Sequence, residues 1–144
     1  MLQTVDVIIL GAGPGGLSAA TALALCGLDV TVVNNGHLMG YGIEGAFKSK
    51  AEFEIARLYA NTALRQDLFT MQSAPDFEAV KGAIEHTAKH LSSGIKTRLQ
   101  RLGIKLLKGT GQFVDRGTVV VGDDIIRAEN IVIATGSIPR VFPG

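Results

Sequence analysis

The chain has 144 residues, 47% hydrophobic and 19% charged: enough for one well-cored domain, too short for two comfortable ones, and too apolar for a solvated tail or linker. Fourteen lysines and arginines against thirteen aspartates and glutamates leave a net charge of +1, which offers no footprint for nucleic acid and no polybasic membrane patch. A single cysteine, Cys26, excludes an intramolecular disulfide and a cysteine-based metal cluster, and the expected location is cytoplasmic.

The opening MLQTVDVIIL carries no basic leader region and no cleavage signal and reads as strand. Val5–Leu10 is an apolar run broken only by Asp6, as expected of a parallel strand covered on both faces. Gly11–Gly16 break it, and Leu17–Cys26, rich in Ala and Leu, predict a helix that Gly27 ends with a left-handed cap. The stretch Gly11–Gly27 is interrupted by Ser18 and Thr21 and does not read as a membrane span. Leu28–Val33 supplies a second β-branched strand, completing a βαβ unit.

Asn34–Gly45, with four glycines and no periodicity, reads as a loop that must lie against something. Ala46 to about Leu68 predicts a second helix. After Ser73–Pro75, Asp76 can cap a long helix from Phe77 to about Leu102. Val80, Ile84, Ala88, Leu91, Ile95, Leu99 and Leu102 would form one stripe on it facing a sheet. Beyond Gly103 come short strand candidates at Ile104–Leu107, Gly111–Val114, Thr118–Val121 and Asp124–Arg127. Three of these form a β-meander, and a last apolar strand follows at Ile131–Ala134.

Gly11-Ala12-Gly13-Pro14-Gly15-Gly16 fits G-x-G-x-x-G between a strand and a helix. The first glycine allows the tight turn, the second lets backbone reach a pyrophosphate, and the third lets the helix pack on the strand. The phosphates would sit at the helix N-terminus, where free N–H groups and the dipole favour negative charge. An acidic residue is expected about 20 residues on to accept from a ribose, but Asn34 stands there, either as a ribose contact or as a turn asparagine. On sequence alone Asn34→Glu is expected to tighten nucleotide binding, because a charged acceptor makes the stronger hydrogen bond.

The opening motif, the meander and the closing Ile131-Val132-Ile133-Ala134-Thr135-Gly136-Ser137-Ile138-Pro139 together resemble the FAD domain of the pyridine nucleotide–disulfide oxidoreductases. That family includes dihydrolipoamide dehydrogenase, glutathione reductase and the soluble transhydrogenase. The resemblance implies an α/β fold: a Rossmann-type parallel sheet with crossover helices and a three-stranded β-meander. It implies FAD contacts at Gly11, Gly13, Pro14, Gly15, Gly16 and Asn34. It also implies a flavin-side role for Ala134, Thr135 and Gly136, and an adenine-side role for Gly111.

The family's redox helix begins G-G-T-C-x-x-x-x-C-x-P-S-K. Registered on Ser49-Lys50, its two cysteines become Tyr41 and Ala46 and its proline becomes Lys48, so no dithiol relay is expected. Lys50 keeps the position of the family's flavin-proximal lysine, against the alternative of an ordinary surface lysine.

The expected activity is hydride transfer from NAD(P)H to FAD. The family's NAD(P)-binding and dimerisation domains are expected to lie outside these 144 residues, in missing domains or a partner subunit, so this chain alone would not turn over. The alternative is a non-catalytic FAD- or NAD-binding module acting in assembly or regulation. Cys26 reads as a buried small hydrophobe. His86 and His90 lack a third ligand and read as a partly exposed face, so no metal is expected.

Overall fold

A computed structural model describes residues 2–65, 68, 75–138, 140 and 142. Its strands are β1 (Leu2–Leu10), β2 (Val30–Asn34), β3 (Lys105–Lys108), β4 (Gln112–Asp115), β5 (Thr118–Val121) and β6 (Asp124–Ile133). They form one six-stranded sheet in the order β3-β2-β1-β6-β5-β4. The half made of β3, β2, β1 and β6 is parallel, and β5 and β4 continue it antiparallel.

β1 lies at the centre because Val7–Leu10 can be buried on both faces. On one face Val7, Ile9, Val30 and Val32 pack with Leu17, Ala20, Leu99 and Ile104. A second cluster packs Val5, Ile8, Leu10 and Val33 with Val119 and Val121 of β5 and Ile126 and Ala128 of β6. Ile8, Ile9 and Val32 are fully buried, and each such side chain contributes about 1.5–3 kcal/mol of transfer free energy.

Helix α1 (Pro14–Leu25) begins three residues earlier than the Ala/Leu pattern predicts, because Pro14 sits at its first position with Gly13 as N-cap. Gly27, at φ 85°, ends it as expected. A π-helical stretch, Gly42–Phe47, runs directly into α2 (Lys48–Ala63). The end near Leu68 expected for this helix, and Ser73 and Ala74 of the following turn, border on or fall outside the described residues. α3 (Phe77–Arg101) is capped as expected: Asp76 Oδ1 accepts from the N–H groups of Glu78 at 3.0 Å and Ala79 at 3.1 Å. Among the described residues no helix is long and apolar enough to cross a membrane.

Four expectations are corrected. Asp124–Arg127 and Ile131–Ala134 are not separate strands. Ala128-Glu129-Asn130 looks like a polar break, but β1 bonds the backbone through it, pairing Val5 with Ala128 and Val7 with Asn130. Leu28 lies outside β2 and is 38% exposed. The α3 stripe does not face the sheet throughout. Ile95, Leu99 and Leu102 pack on the sheet core, whereas Ile84 and Ala88 belong to the half that meets α2 and the π-helical stretch, and Leu91 is exposed. Cys26 is exposed: it is the C-cap, just past the last turn of α1, rather than a core residue.

Candidate functional site

The loop after β1 is held from both sides. Gly11 has φ +107°, and a Cβ there would collide with the carbonyl of Ala134, so only glycine permits this approach. Its N–H donates to Val33 O at 2.8 Å, and the Ala134 N–H donates to Leu10 O at 2.8 Å. The ends of β2, β1 and β6 are thereby locked together. Gly16 lies against the Gly11 carbonyl, which seats α1 on β1. Gly13 and Gly15 face open space. The first turn of α1 has no side-chain cap and no acidic residue, so its N–H groups and positive dipole end are available to an anion.

Asn34 reaches the end of β2 and joins this loop. Its Oδ1 accepts from the Ala12 N–H at 3.1 Å, and its Nδ2 donates to Gly36 O at 2.7 Å and to His37 O at 3.5 Å. The amide therefore works from both ends, a task that a carboxylate, with no donor, cannot perform. A second lone pair on Oδ1 remains for a ligand hydroxyl. Next to it, Asn35 Nδ2 donates to Thr110 Oγ1 at 2.7 Å, tying the loop to the turn before β4.

Two adjoining cavities line the carboxyl ends of the parallel strands. One, of about 440 Å³, is bounded by Gly11–Pro14, Asn34, Gly40–Gly42, Ala46 and Ala134–Ser137. The other, of about 320 Å³, runs from Asn34–His37 to Gly109–Gly111. They share Gly11, Asn34, Gly40 and Thr135, so they form one cleft. Gly111 packs into the core below it, where a Cβ would come within 2.9 Å of Leu10 Cδ2 and 3.0 Å of Val119 Cγ1.

The structure brings Gly11, Gly13, Pro14, Asn34, Gly111, Ala134, Thr135 and Gly136 to this cleft, with Gly15 and Gly16 directly behind it in the first turn of α1. Tyr41 and Ala46 both line it. They are five residues apart, and the π-helical stretch between them, whose bonds close over five residues, sets both on the cleft side. Lys50 is not among the lining residues. It is exposed and stands one turn beyond Ala46 on α2.

Lys48 points the other way: its Nζ pairs with Glu44 Oε2 at 2.8 Å, beside Glu85 of α3. The hydrogen bond from Lys48 holds the Glu44 carboxyl below its ordinary value and raises the lysine. Met39 takes φ 67°, uncommon for a side-chain-bearing residue, where its N–H donates to Ala12 O at 2.7 Å. The His86 and His90 rings lie 4.6 Å apart between centroids, tilted by 45°, and neither lines the cleft. Among the described residues no group of three or more His, Cys, Asp or Glu collects.

The sequence reading missed Ala12 as a donor, and it missed the Asn35–Thr110 bond. The Asn34-Asn35-Gly36 run marks a turn, but nothing in one sequence pairs Asn35 with a threonine 75 positions on.

A family model described as pyridine nucleotide-disulphide oxidoreductase matches residues 5–144. Dihydrolipoyl dehydrogenase 3 of Haloarcula marismortui is 32% identical over 96% of this chain and 31% of its own length. Dihydrolipoyl dehydrogenase of Zymomonas mobilis is 31% identical over 99% of this chain and 32% of its own length. The chain thus spans about a third of the length of these curated relatives. Among solved structures, the Cu(II) complex of the HOCl-induced flavoprotein disulfide reductase RclA from Escherichia coli superimposes with a TM-score of 0.80. That match has 21% identity and covers 96% of this chain and 29% of RclA; at that identity it establishes the fold.

Proposed function

Because the chain belongs to the pyridine nucleotide-disulphide oxidoreductase family, we propose that it is the FAD-binding domain of a pyridine nucleotide-dependent flavin oxidoreductase that works without a dithiol relay. The observation that carries the reading is the continuous cleft from Gly109–Gly111, past the glycine loop, to Tyr41 and Ser137. It joins a phosphate cradle to two ends, as a dinucleotide requires. The residues fit the cofactor: a Cβ at Gly13 or Gly15 would occupy the open space in front of α1 that a pyrophosphate needs.

In this reading the N–H groups at the start of α1 hold the pyrophosphate, and Pro14 fixes the turn that presents them. Asn34 Oδ1 accepts from a ribose hydroxyl while keeping its bond to Ala12. Gly111 lies on the adenine side, and Ala134, Thr135 and Gly136 bound the ring side. Lys50, exposed one turn beyond Ala46 and outside the cleft lining, takes its flavin-side role from the family resemblance alone. Bound FAD would accept hydride from NAD(P)H, bound by a domain or partner subunit outside these residues. With Tyr41 and Ala46 in the cleft and Cys26 at the far end of α1, no thiol pair within these residues takes the electrons onward. The acceptor is then a second nicotinamide, a quinone, oxygen or a partner protein. A cytoplasmic location accords with a supply of reduced nicotinamide.

Titration with FAD, FMN and NAD tests the reading: FAD should bind most tightly, and a clear preference for NAD would overturn it. The Asn34 amide, engaged at both ends within the protein, favours a second reading, a module that keeps the fold and binds a nucleotide in assembly or regulation. Bleaching of the bound flavin by NADH or NADPH in the full-length protein separates the two.

A further inference from the structure

We infer that Tyr41 is the residue that contacts the flavin ring in this cleft, so that an aromatic contact stands where thiol exchange would otherwise occur. The inference rests on the FAD-binding reading. Tyr41 bounds the larger cavity at the end away from Gly109–Gly111, together with Ala46, Gly136 and Ser137. Among the described residues it is the only aromatic one lining this larger cavity, His37 lining the other; the rest of the wall around Tyr41 is glycine, alanine, proline, threonine, serine and Asn34. A planar aromatic ligand entering this end has one side chain to pack against.

The ring is also seated. A Cβ on Gly45 would come within 2.6 Å of Tyr41 Cδ1 and 2.8 Å of Cε1, so the phenol lies across the glycine one turn ahead. The π-helical stretch that carries Gly45 keeps Tyr41 on the cleft side with Ala46. Tyr41 is nevertheless 57% exposed. A large apolar ring, fixed on one side by backbone and open on the other, is a preformed platform for stacking. The small Ala46 beside it leaves the platform unobstructed.

Composition makes the test clean. The chain has two tyrosines and no tryptophan, and the other tyrosine, Tyr59, lies on α2 outside the cleft lining. A phenol in contact with a photoexcited flavin quenches its emission by reversible electron transfer, so the bound cofactor reports contact without any turnover. FAD is loaded onto wild type, Tyr41→Leu, Tyr41→Phe, Gly45→Ala and Tyr59→Leu. Occupancy is measured by flavin absorbance after gel filtration, and emission is compared at equal occupancy.

Wild type and Tyr59→Leu should be dim. Tyr41→Leu and Tyr41→Phe should regain emission, the phenylalanine variant with FAD affinity closer to wild type. Gly45→Ala, which keeps the phenol but displaces it from its seat, should also brighten. Equal emission from wild type and Tyr41→Leu with FAD bound to both would overturn the role of Tyr41 and leave the FAD reading standing. Failure of wild type to bind FAD would overturn both.

Discussion

Replacing Asn34 by alanine removes one acceptor and one donor from the junction between the glycine loop and the end of β2. Ala12 is fully buried, so its N–H has no water to turn to once Oδ1 is gone. Leaving such a donor unpaired costs about 1–3 kcal/mol. The 2.7 Å bond from Nδ2 to Gly36 O is at an exposed position, and its loss adds only about 0.5 kcal/mol. Asn34→Ala should therefore destabilise the fold by about 2 kcal/mol, read in urea as a lower midpoint with an unchanged slope. Asn34→Asp keeps the acceptor for Ala12 and loses the donor, so it should fall between alanine and wild type. Asn34→Glu, expected from sequence alone to tighten FAD binding, should weaken it, because the longer carboxylate cannot serve Gly36 O and Ala12 N–H together. Wild-type stability in Asn34→Ala would refute the structural role of the amide, and tighter FAD binding by Asn34→Glu would show that the ribose contact outweighs it.

Gly16→Ala places a Cβ against the Gly11 backbone and should cost more than about 2 kcal/mol or prevent folding. Gly13→Ala meets no protein atom and should fold normally while losing about tenfold or more in FAD affinity, close to 1.4 kcal/mol, by calorimetry. Lys50→Met should lower the flavin reduction potential with little change in affinity, and Lys48→Met, which breaks the Glu44 pair, should not; equal potentials for Lys50→Met and wild type would make Lys50 an ordinary surface lysine. Because the folded-state pKa of Glu44 lies below 4.5, its contribution to stability is complete above pH 4.5 and fades as the pH falls through the folded value, so Glu44→Gln should flatten the acid limb of a stability–pH profile there. Exposed Cys26 should react readily with a thiol reagent, and its alkylation should leave flavin reduction by a nicotinamide in the full-length protein unchanged.

The parallel half of the sheet was legible because Val5–Leu10 and Val30–Val33 are near-continuous apolar runs whose only comfortable place is between two layers. The α3 cap was legible because Asp76 stands alone before a helical period. β6 was misread in the middle because Glu129 and Asn130 are polar and exposed there, and side-chain polarity says nothing about the backbone bonds that carry a strand through. Cys26 was misplaced because α1 is apolar nearly all round, so its sequence does not declare which side meets the sheet. In the site, the glycine loop and the Ala134–Gly136 turn were visible as motifs. The reach of Asn34 back to Ala12, and of Asn35 to Thr110, depends on tertiary approach that no spacing encodes.

The pairing of β1 with β6 has a consequence for how the chain acquires its ligand. Residues 2–10 meet residues 125–133, so the central strand keeps one edge open until residues 125–133 have been made. The open edge is the apolar Val7–Leu10 run, a template for mispairing in the nascent chain. The long loop that must close before this pairing forms makes it a slow step. β6 ends at Ile133, directly before Ala134, so the ring side of the cleft does not exist until the sheet is closed. A nucleotide that needs both ends of the cleft then recognises only the finished sheet. At a hundred times its Kd such a ligand would stabilise that state by about 2.7 kcal/mol.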